Sequence, residues 1–373
     1  MKIVSVMTTE SRGGAEFAAI EMLDALLDAG HETVMLTNQP GMGRERRVRI
    51  EPVEIGPKLS TRTYLSLALR APLVARTLRD ALEREAPYDV LLLHYKKEQL
   101  LALLLPERLR QTVVWCEWGP VPFPLRRGLP RRLYLAAARR MKLTLAISEG
   151  TRRSLLDVGV PDEKIHVVPN VFRTDEIGFS EEGRQRVRGE LGIPADAFVV
   201  GLISRFHPKK RNDVVVEAVN ALDDPRVHLV LAGDGETEGE LRALGLPLGE
   251  RLHVIPTPGG EVGDVLSAFD VSIFCPSPTE GAPRAVILGM LASRPCISTG
   301  AEGVADIIAP EFGAIVSPEN DAAALADVLR GYVGDPERAA REGRAARRAA
   351  EETYAAPVVS AEITRLLESA IRR

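Results

Sequence analysis

Cysteine, aromatic residues and long apolar runs are all scarce in this 373-residue chain. The three cysteines, Cys116, Cys275 and Cys296, are widely spaced within apolar runs. This excludes a disulfide framework and the usual zinc-site spacing, and predicts buried thiols in a reducing compartment. No apolar run approaches the roughly 20 residues that a membrane-spanning helix needs. Residues 1–7 predict a strand rather than a signal peptide, so we expect a cytoplasmic protein.

A strong charge of either sign is also missing, because the net charge is -4. We therefore expect no nucleic-acid partner. The charge is uneven locally, since residues 95–142 carry eleven Lys or Arg and three acids. Within this stretch, the basic segment 126–142 interleaves arginines with Leu and Tyr. That pattern is typical of a solvated helix with a core stripe, and the alternative is peripheral contact with an anionic membrane.

The length suits two domains of about 150–200 residues each. Both halves alternate short apolar strands with amphipathic helices, which predicts parallel sheets covered on both faces. Polarity rises around residues 170–197, and the hinge is placed there. The predicted fold class is α/β, with two Rossmann-like doubly wound domains at 1–175 and 176–355 facing each other across a cleft. A C-terminal helix at 356–373 is expected to pack back onto the first domain.

The most informative segment follows a predicted apolar strand at residues 270–275. Glu280, Gly281 and Pro283 lie between this strand and a predicted apolar helix. Backbone amides and the dipole at a helix N-terminus hold an anion, and a carboxylate accepts hydrogen bonds from sugar hydroxyls. The segment therefore predicts a site for a hydroxylated, anionic ligand.

A basic loop follows the predicted strand at residues 198–203. Its four cations are Arg205, Lys209, Lys210 and Arg211. Arginine offers phosphate a bidentate fork and lysine a mobile charge. A solvated loop is the common meaning of such a run, but its place at the carboxyl end of a strand favours a diphosphate clamp. The acidic turn at 233–236 is weak support for a metal ion, and no metal site is predicted.

The first half offers three further candidates. Gly13 and Gly14 follow the first strand, where their amides approach a phosphate or simply form a tight turn that caps a helix. Glu117 precedes Trp118 at a strand end, which predicts a carboxylate for sugar hydroxyls beside a stacking face; the alternative is a surface charge next to a core Trp115. His94 ends another strand, and a lone histidine there is more often structural.

Taken in order, these segments resemble glycosyltransferase family 4, whose members are retaining enzymes of the GT-B architecture. Residues 13–16 resemble its N-terminal glycine loop. Arg205 and Lys210 match its diphosphate clamp at the same five-residue spacing, and residues 276–295 match its motif with two glutamates. The likeness covers nearly the whole chain.

The resemblance implies a metal-independent, retaining enzyme with no cofactor that takes a sugar from a nucleotide-diphosphate sugar, such as a UDP or GDP sugar. The domain 176–355 is expected to bind this donor. The domain 1–175 is expected to bind the acceptor, a small molecule or a lipid or envelope precursor. Three residues are expected to be catalytic: Arg205, Lys210 and Glu280. Donor-binding residues are expected at Gly281, Ala282, Pro283, Arg284, Leu288, Gly13 and Gly14. Acceptor-binding residues are expected at Glu16, Glu117, Trp118 and His94.

Leu288 departs from the family pattern, because it stands where the second glutamate usually holds the nucleotide ribose. A leucine cannot accept from a hydroxyl, and losing such a charged partner costs about 1.5–3 kcal/mol. Ala282 replaces the family's phenylalanine and enlarges the sugar pocket. Three alternatives stay open: a GT-B sugar phosphorylase, a sugar-nucleotide epimerase and a non-catalytic glycosyltransferase-like binding protein.

Overall fold

Two parallel sheets organise the chain. The computed structural model describes residues 1–9, 13–39, 41, 46–57, 59, 63–276, 283–300 and 302–372, without the side chains of residues 64–68 and 302. It divides into two units: Met1–Phe172 with Tyr354–Arg373, and Arg173–Thr353.

The first unit contains a seven-stranded parallel sheet among the described residues, in the order β3-β2-β1-β4-β5-β6-β7. Its strands are β1 (Lys2–Val6), β2 (Glu32–Thr37), β3 (Arg49–Pro52), β4 (Val90–Leu93), β5 (Val113–Glu117), β6 (Leu143–Ala146) and β7 (Ile165–Val167). Its helices are α1 (Gly14–Asp28), α2 (Tyr64–Glu85), α3 (Lys96–Leu101), α4 (Gly128–Arg140), α5 (Glu149–Val158) and, after the second unit, α14 (Ala356–Arg372).

Successive side chains of β1 point to opposite faces of this sheet, and each face is covered by helices. Val4 points into an apolar cluster that includes Leu78 of α2. Ile3 points to the opposite face, into a cluster with Leu23 of α1 and Leu367 of α14. Successive strand residues point to opposite faces, so an uninterrupted apolar strand needs helices on both sides. The C-terminal helix α14 therefore completes the first unit's core.

In the described part of the second unit the strands form a six-stranded parallel sheet, in the order β10-β9-β8-β11-β12-β13. Its strands are β8 (Phe198–Ile203), β9 (Val227–Ala232), β10 (Leu252–Ile255), β11 (Val271–Phe274), β12 (Cys296–Thr299) and β13 (Gly313–Val316). Its helices are α6 (Glu181–Glu190), α7 (Asn212–Leu222), α8 (Glu238–Leu244), α9 (Val262–Ala268), α10 (Arg284–Leu291), α11 (Glu302–Ala305), α12 (Ala322–Gly334) and α13 (Pro336–Tyr354).

Each sheet reverses its winding direction between two central strands. In the first unit this topological switch lies between β1 and β4, and in the second between β8 and β11. Ligands of doubly wound sheets bind beyond the carboxyl ends of the strands at this switch. The predicted α/β class with two Rossmann-like domains is confirmed, and the fold locates a candidate ligand position in each unit.

Two composition-based expectations can be compared with the structure. All three cysteines are free and buried, as predicted. Within the described ranges, no helix has both the length and the apolar character needed to span a bilayer.

Candidate active site

The basic loop after β8 lies at the switch point of the second sheet. Arg205 is exposed, and Lys210 is partly buried. The Nζ atom of Lys210 lies 5.2 Å from the centroid of the Phe274 ring, at the end of β11. The loop therefore reaches the ends of both switch-point strands.

A buried side chain fixes the start of this loop. Asn212, which is 2% exposed, accepts a hydrogen bond from the Ser204 hydroxyl at 2.9 Å and donates to the Arg205 carbonyl at 3.4 Å. The four cations of the loop are not equivalent, because the Arg211 guanidinium donates to the carboxylate of Asp213 at 3.2 Å. Arg211 is therefore held by its own neighbour, whereas Arg205 faces solvent.

The turn at residues 233–236, after β9, packs against the same loop. A Cβ on Gly233 would lie 1.9 Å from the carbonyl oxygen of Ser204, and a Cβ on Gly235 would lie 2.2 Å from that of Phe206. The Phe206 N–H donates to the Asp234 carbonyl at 2.8 Å. This turn at 233–236 therefore packs closely against the backbone of the loop that carries Arg205.

The segment with Glu280, Gly281 and Ala282 lies outside the described residues. Beyond it, Pro283 stands in extended backbone at the N-cap of α10, which begins at Arg284. These two predicted residues therefore flank the N-terminus of a helix that follows β11.

Leu288, on α10, is partly buried against an apolar cluster on one face of the second sheet. Two other partly buried members of this set, Ile203 and Ile255, end strands β8 and β10. Leu288 therefore belongs to the same apolar cluster as the last residues of β8 and β10.

In the first unit, Gly13 is the N-cap residue of α1 and has an extended backbone, with φ −155° and ψ −168°. Its carbonyl accepts from the Phe17 N–H at 3.2 Å, and Gly14 begins the helix. Glu16 is only 5% exposed, and its carboxylate accepts from the Tyr95 hydroxyl. The predicted acceptor residue Glu16 therefore lies behind Tyr95 rather than on an open surface.

His94 is buried at the end of β4, with both ring nitrogens engaged. Its Nε2 lies 2.7 Å from the Ser5 hydroxyl, and its Nδ1 accepts from the Trp118 indole N–H at 3.1 Å. Burial lowers the pKa of His94 to about 3, so the imidazole is neutral. His94 orients Trp118 and has no ring nitrogen left for a ligand.

Glu117 ends β5 as a buried carboxylate rather than a surface charge. It forms an ion pair with Lys96, and it also accepts from the Gln99 amide at 3.0 Å and the Tyr134 hydroxyl at 3.3 Å. Burial lowers the pKa of Lys96, and the Glu117 carboxylate opposes that effect. The pair is therefore a neutral, hydrogen-bonded unit.

A cavity of about 280 Å³ joins these groups at the carboxyl ends of β4 and β5. It is lined by Ala15, Leu59, His94, Tyr95, Lys96, Glu117, Trp118, Gly119, Pro120 and Pro122. Sequence reasoning selected His94, Glu117 and Trp118 but missed Lys96 and Tyr95. Tyr95 and Lys96 lie two and three residues beyond the end of β4, so the rule that ligands bind beyond strand ends would have placed them near the site.

The basic segment 126–142 contains α4, and a short 3₁₀ turn, Phe123–Arg126, leads into it. Phe123 and Leu129 are 70% and 64% exposed. Some of the arginines have structural roles, since Arg131 donates to the Val158 carbonyl at 2.9 Å and Arg140 to the Leu103 carbonyl at 3.3 Å. No cluster of three or more potential metal ligands occurs in the described part of the chain.

Two family models match the chain, one on each half. Residues 12–176 match the model described as Glycosyltransferase Family 4, and residues 183–349 match the model described as Glycosyl transferases group 1. Together the two matches span most of the chain.

Two bacterial relatives are 25–29% identical to this chain over the aligned residues. The D-inositol 3-phosphate glycosyltransferase of Streptomyces avermitilis is 29% identical over 247 residues, 62% of this chain and 52% of that protein. The match therefore spans about half the length of that relative. The enzyme of the same name from Xylanimonas cellulosilytica is 25% identical over 376 residues, 91% of this chain and 88% of that protein.

Among solved structures, Anabaena HepE in complex with UDP and glucose has a TM-score of 0.81 and 18% identity, covering 99% of this chain and 100% of that one. WaaG, a glycosyltransferase involved in lipopolysaccharide biosynthesis, has a TM-score of 0.70 and 16% identity, covering 98% and 99%. At these identities the likeness establishes the fold.

Proposed function

Because the chain belongs to the glycosyltransferases, with a family 4 segment followed by a group 1 segment, we propose that it transfers a sugar from a nucleotide-diphosphate sugar to an acceptor. The transfer proceeds with retention of the anomeric configuration and without a metal ion or cofactor. The acceptor is a small molecule or a lipid or envelope precursor bound by the first unit.

The position of Arg205 and Lys210 is the observation that carries this proposal. Both follow β8 at the topological switch, and Lys210 reaches the end of β11 at Phe274. When the bond between the sugar and the diphosphate oxygen breaks, its electrons leave with the diphosphate. Two cations at this position neutralise the resulting negative charge. Such stabilisation of developing charge is usually the largest single contribution to catalysis.

The remaining donor contacts are assigned from the sequence. Glu280 accepts hydrogen bonds from the sugar hydroxyls. The amides around Gly281 and Ala282, with the N-terminus of α10 at Pro283 and Arg284, hold the anionic part of the donor. Leu288 lies beside the nucleoside and gives the ribose no hydrogen-bond acceptor.

On the acceptor side, the structure supports a division of labour. Trp118 and Glu117 line the cavity, and we assign them the contacts with the acceptor. His94 and Glu16 act indirectly, since His94 accepts from the Trp118 indole and Glu16 from the Tyr95 hydroxyl. Gly13 and Gly14 keep the predicted role of presenting amides to a phosphate.

The proposal extends to peripheral contact of the basic segment 126–142 with an anionic membrane. Phe123 and Leu129 expose apolar surface, and Arg127 and Arg132 are exposed nearby in sequence. Apolar groups together with cations are the combination that binds anionic lipid. Co-sedimentation with neutral vesicles and with vesicles containing phosphatidylserine tests it; equal, negligible binding to both would reject the contact.

The reaction is tested with a panel of UDP and GDP sugars, measuring nucleoside diphosphate release with and without EDTA. Proton NMR of the product reports its anomeric configuration. We expect release that EDTA does not abolish, a retained configuration, and loss of turnover in Arg205→Ala. Transfer from a sugar 1-phosphate without any nucleotide would indicate a phosphorylase instead.

A further inference from the structure

The polar side chains in the described wall of the cavity at the ends of β4 and β5 already have hydrogen-bond partners within the protein. The volume of this cavity is about 280 Å³. Tyr95, one of its walls, donates its hydroxyl hydrogen bond to Glu16. The other polar side chains on the described wall, His94, Lys96, Glu117 and Trp118, also have hydrogen-bond partners.

His94 fixes the orientation of the Trp118 indole ring. The two rings are parallel within 5°, with centroids 5.7 Å apart. The indole N–H can only donate, so Nδ1 of His94 is the acceptor, and the proton of the neutral imidazole lies on Nε2, which faces Ser5. With its one polar atom engaged, Trp118 offers a ligand only the face of its ring.

The charges in the wall cancel. Lys96 and Glu117 form an ion pair with side chains 13% and 3% exposed. Lys96 also donates to the Tyr134 hydroxyl at 3.1 Å, and Glu117 accepts from Gln99. This unit therefore presents a compensated charge to the cavity rather than a free cation.

We propose that this cavity binds an uncharged acceptor through a flat aromatic ring, which stacks on the indole of Trp118. That the ligand is the acceptor rests on the proposed function, whereas the selectivity for an aromatic ring rests on the cavity itself. Aromatic rings gain from offset stacking and need no hydrogen-bond partner from the wall. A phosphate would need an uncompensated cation, and Lys96 on the described wall is already paired with Glu117. The acceptor class thus differs from the phosphorylated cyclitol in the names of the relatives.

The test is isothermal titration calorimetry in the absence of any donor, with glucose, phenyl β-D-glucoside and glucose 6-phosphate. Phenyl glucoside differs from glucose by the ring and glucose 6-phosphate by the charge. We expect phenyl glucoside to bind at least tenfold more tightly than glucose, and glucose 6-phosphate no more tightly than glucose.

Variants link the preference to the indole. Trp118→Leu should remove the tenfold preference, and Trp118→Phe, which keeps a ring, should retain part of it. Phe17→Leu is the matched control, because Phe17 is also an exposed aromatic side chain, 53% exposed, but does not line the cavity. It should bind like the unmodified protein. Thermal unfolding establishes that each variant is folded.

Tighter binding of glucose 6-phosphate, a ring preference that survives in folded Trp118→Leu, or binding of none of the three probes would overturn the inference. If Trp118→Leu does not fold, an undiminished preference in folded Trp118→Phe has the same effect. Because no donor is present, a ring preference without turnover on any sugar nucleotide would reject the proposed reaction and leave this inference standing.

Discussion

The ammonium group of Lys210 lies 5.2 Å from the centre of the Phe274 ring. Lys210 belongs to the loop after β8, and Phe274 is the last residue of β11. A cation over an aromatic face is attracted by about 0.5–2 kcal/mol, depending on its exposure to water. The contact therefore holds the basic loop against the strand that leads to Glu280, at the switch point of the sheet.

Gly233→Ala should disturb this loop from the turn beneath it. The new methyl group would lie 1.9 Å from the Ser204 carbonyl oxygen, so the Ser204–Phe206 backbone must shift. We expect a loss of about 1–3 kcal/mol in the free energy of unfolding, measured by urea denaturation, and weaker nucleotide binding. Gly239→Ala is the control, because no heavy atom lies within 4 Å of its added Cβ in helix α8. It should stabilise by about 0.5–1 kcal/mol. Equal effects of the two substitutions would contradict the role of the turn.

His94 should make the protein less stable in mild acid. Burial lowers its pKa from the ordinary 6.5 to about 3. Below pH 6.5 the unfolded chain therefore binds a proton that the folded chain does not. The contribution of neutral His94 to the free energy of unfolding is complete above pH 6.5. It falls by about 1.4 kcal/mol per pH unit as the pH drops toward 3.

The matched variant is His94→Gln, which can still accept from Trp118 and donate to Ser5 but does not titrate. Between pH 7.5 and pH 5, its free energy of unfolding should fall by about 2 kcal/mol less than that of the unmodified protein. The comparison removes the contributions of His228 and His253, whose pKa values burial also lowers. Parallel pH profiles would show that the buried imidazole is not the cause.

The Lys96–Glu117 pair should behave as a buried ion pair in a double-mutant cycle. Lys96→Met leaves the Glu117 carboxylate, which is 3% exposed, without its cation. We expect a loss of about 3–5 kcal/mol in the free energy of unfolding. Adding Glu117→Leu should restore much of that stability. A coupling energy under about 1 kcal/mol would instead be that of a surface pair.

Leu288→Glu should change nucleotide affinity and leave the fold intact, since Leu288 is only partly buried. A carboxylate that accepts from the ribose hydroxyls contributes about 1.5–3 kcal/mol, so UDP or GDP should bind about 10–100-fold more tightly by calorimetry. Pyrophosphate is the control ligand, because it lacks the ribose. Unchanged nucleotide binding in a folded Leu288→Glu protein would place this residue away from the nucleoside.

Strand and helix periodicity predicted most of the fold, because buried parallel strands have continuous apolar runs. The predicted strand 198–203 matches the structure residue for residue. Strand β3 (Arg49–Pro52) was missed, since its residues Arg-Ile-Glu-Pro carry no apolar run and lie at the sheet edge. Strand β13 was missed as well, and it lies at the other sheet's edge.

The candidate site was less predictable than the fold, because its chemistry depends on contacts between distant segments. The sequence placed Glu117 beside two tryptophans but gave no sign that it pairs with Lys96, the first residue of α3. Asn212 gave no signal at all, although it binds both Ser204 and Arg205. The family resemblance identified Arg205 and Lys210 through their spacing, and only the structure adds the support of the loop.

The most direct measurement of the central claim is a calorimetric titration of UDP and GDP into the unmodified protein, Arg205→Ala, Lys210→Ala and Lys209→Ala. Lys209 is the matched control, an exposed cation of the same loop. The diphosphate clamp predicts saturable binding of at least one of the two nucleotides. It also predicts a loss of about tenfold or more in Arg205→Ala and Lys210→Ala, and little change in Lys209→Ala. No binding of either nucleotide, or equal losses in all three variants, would contradict it.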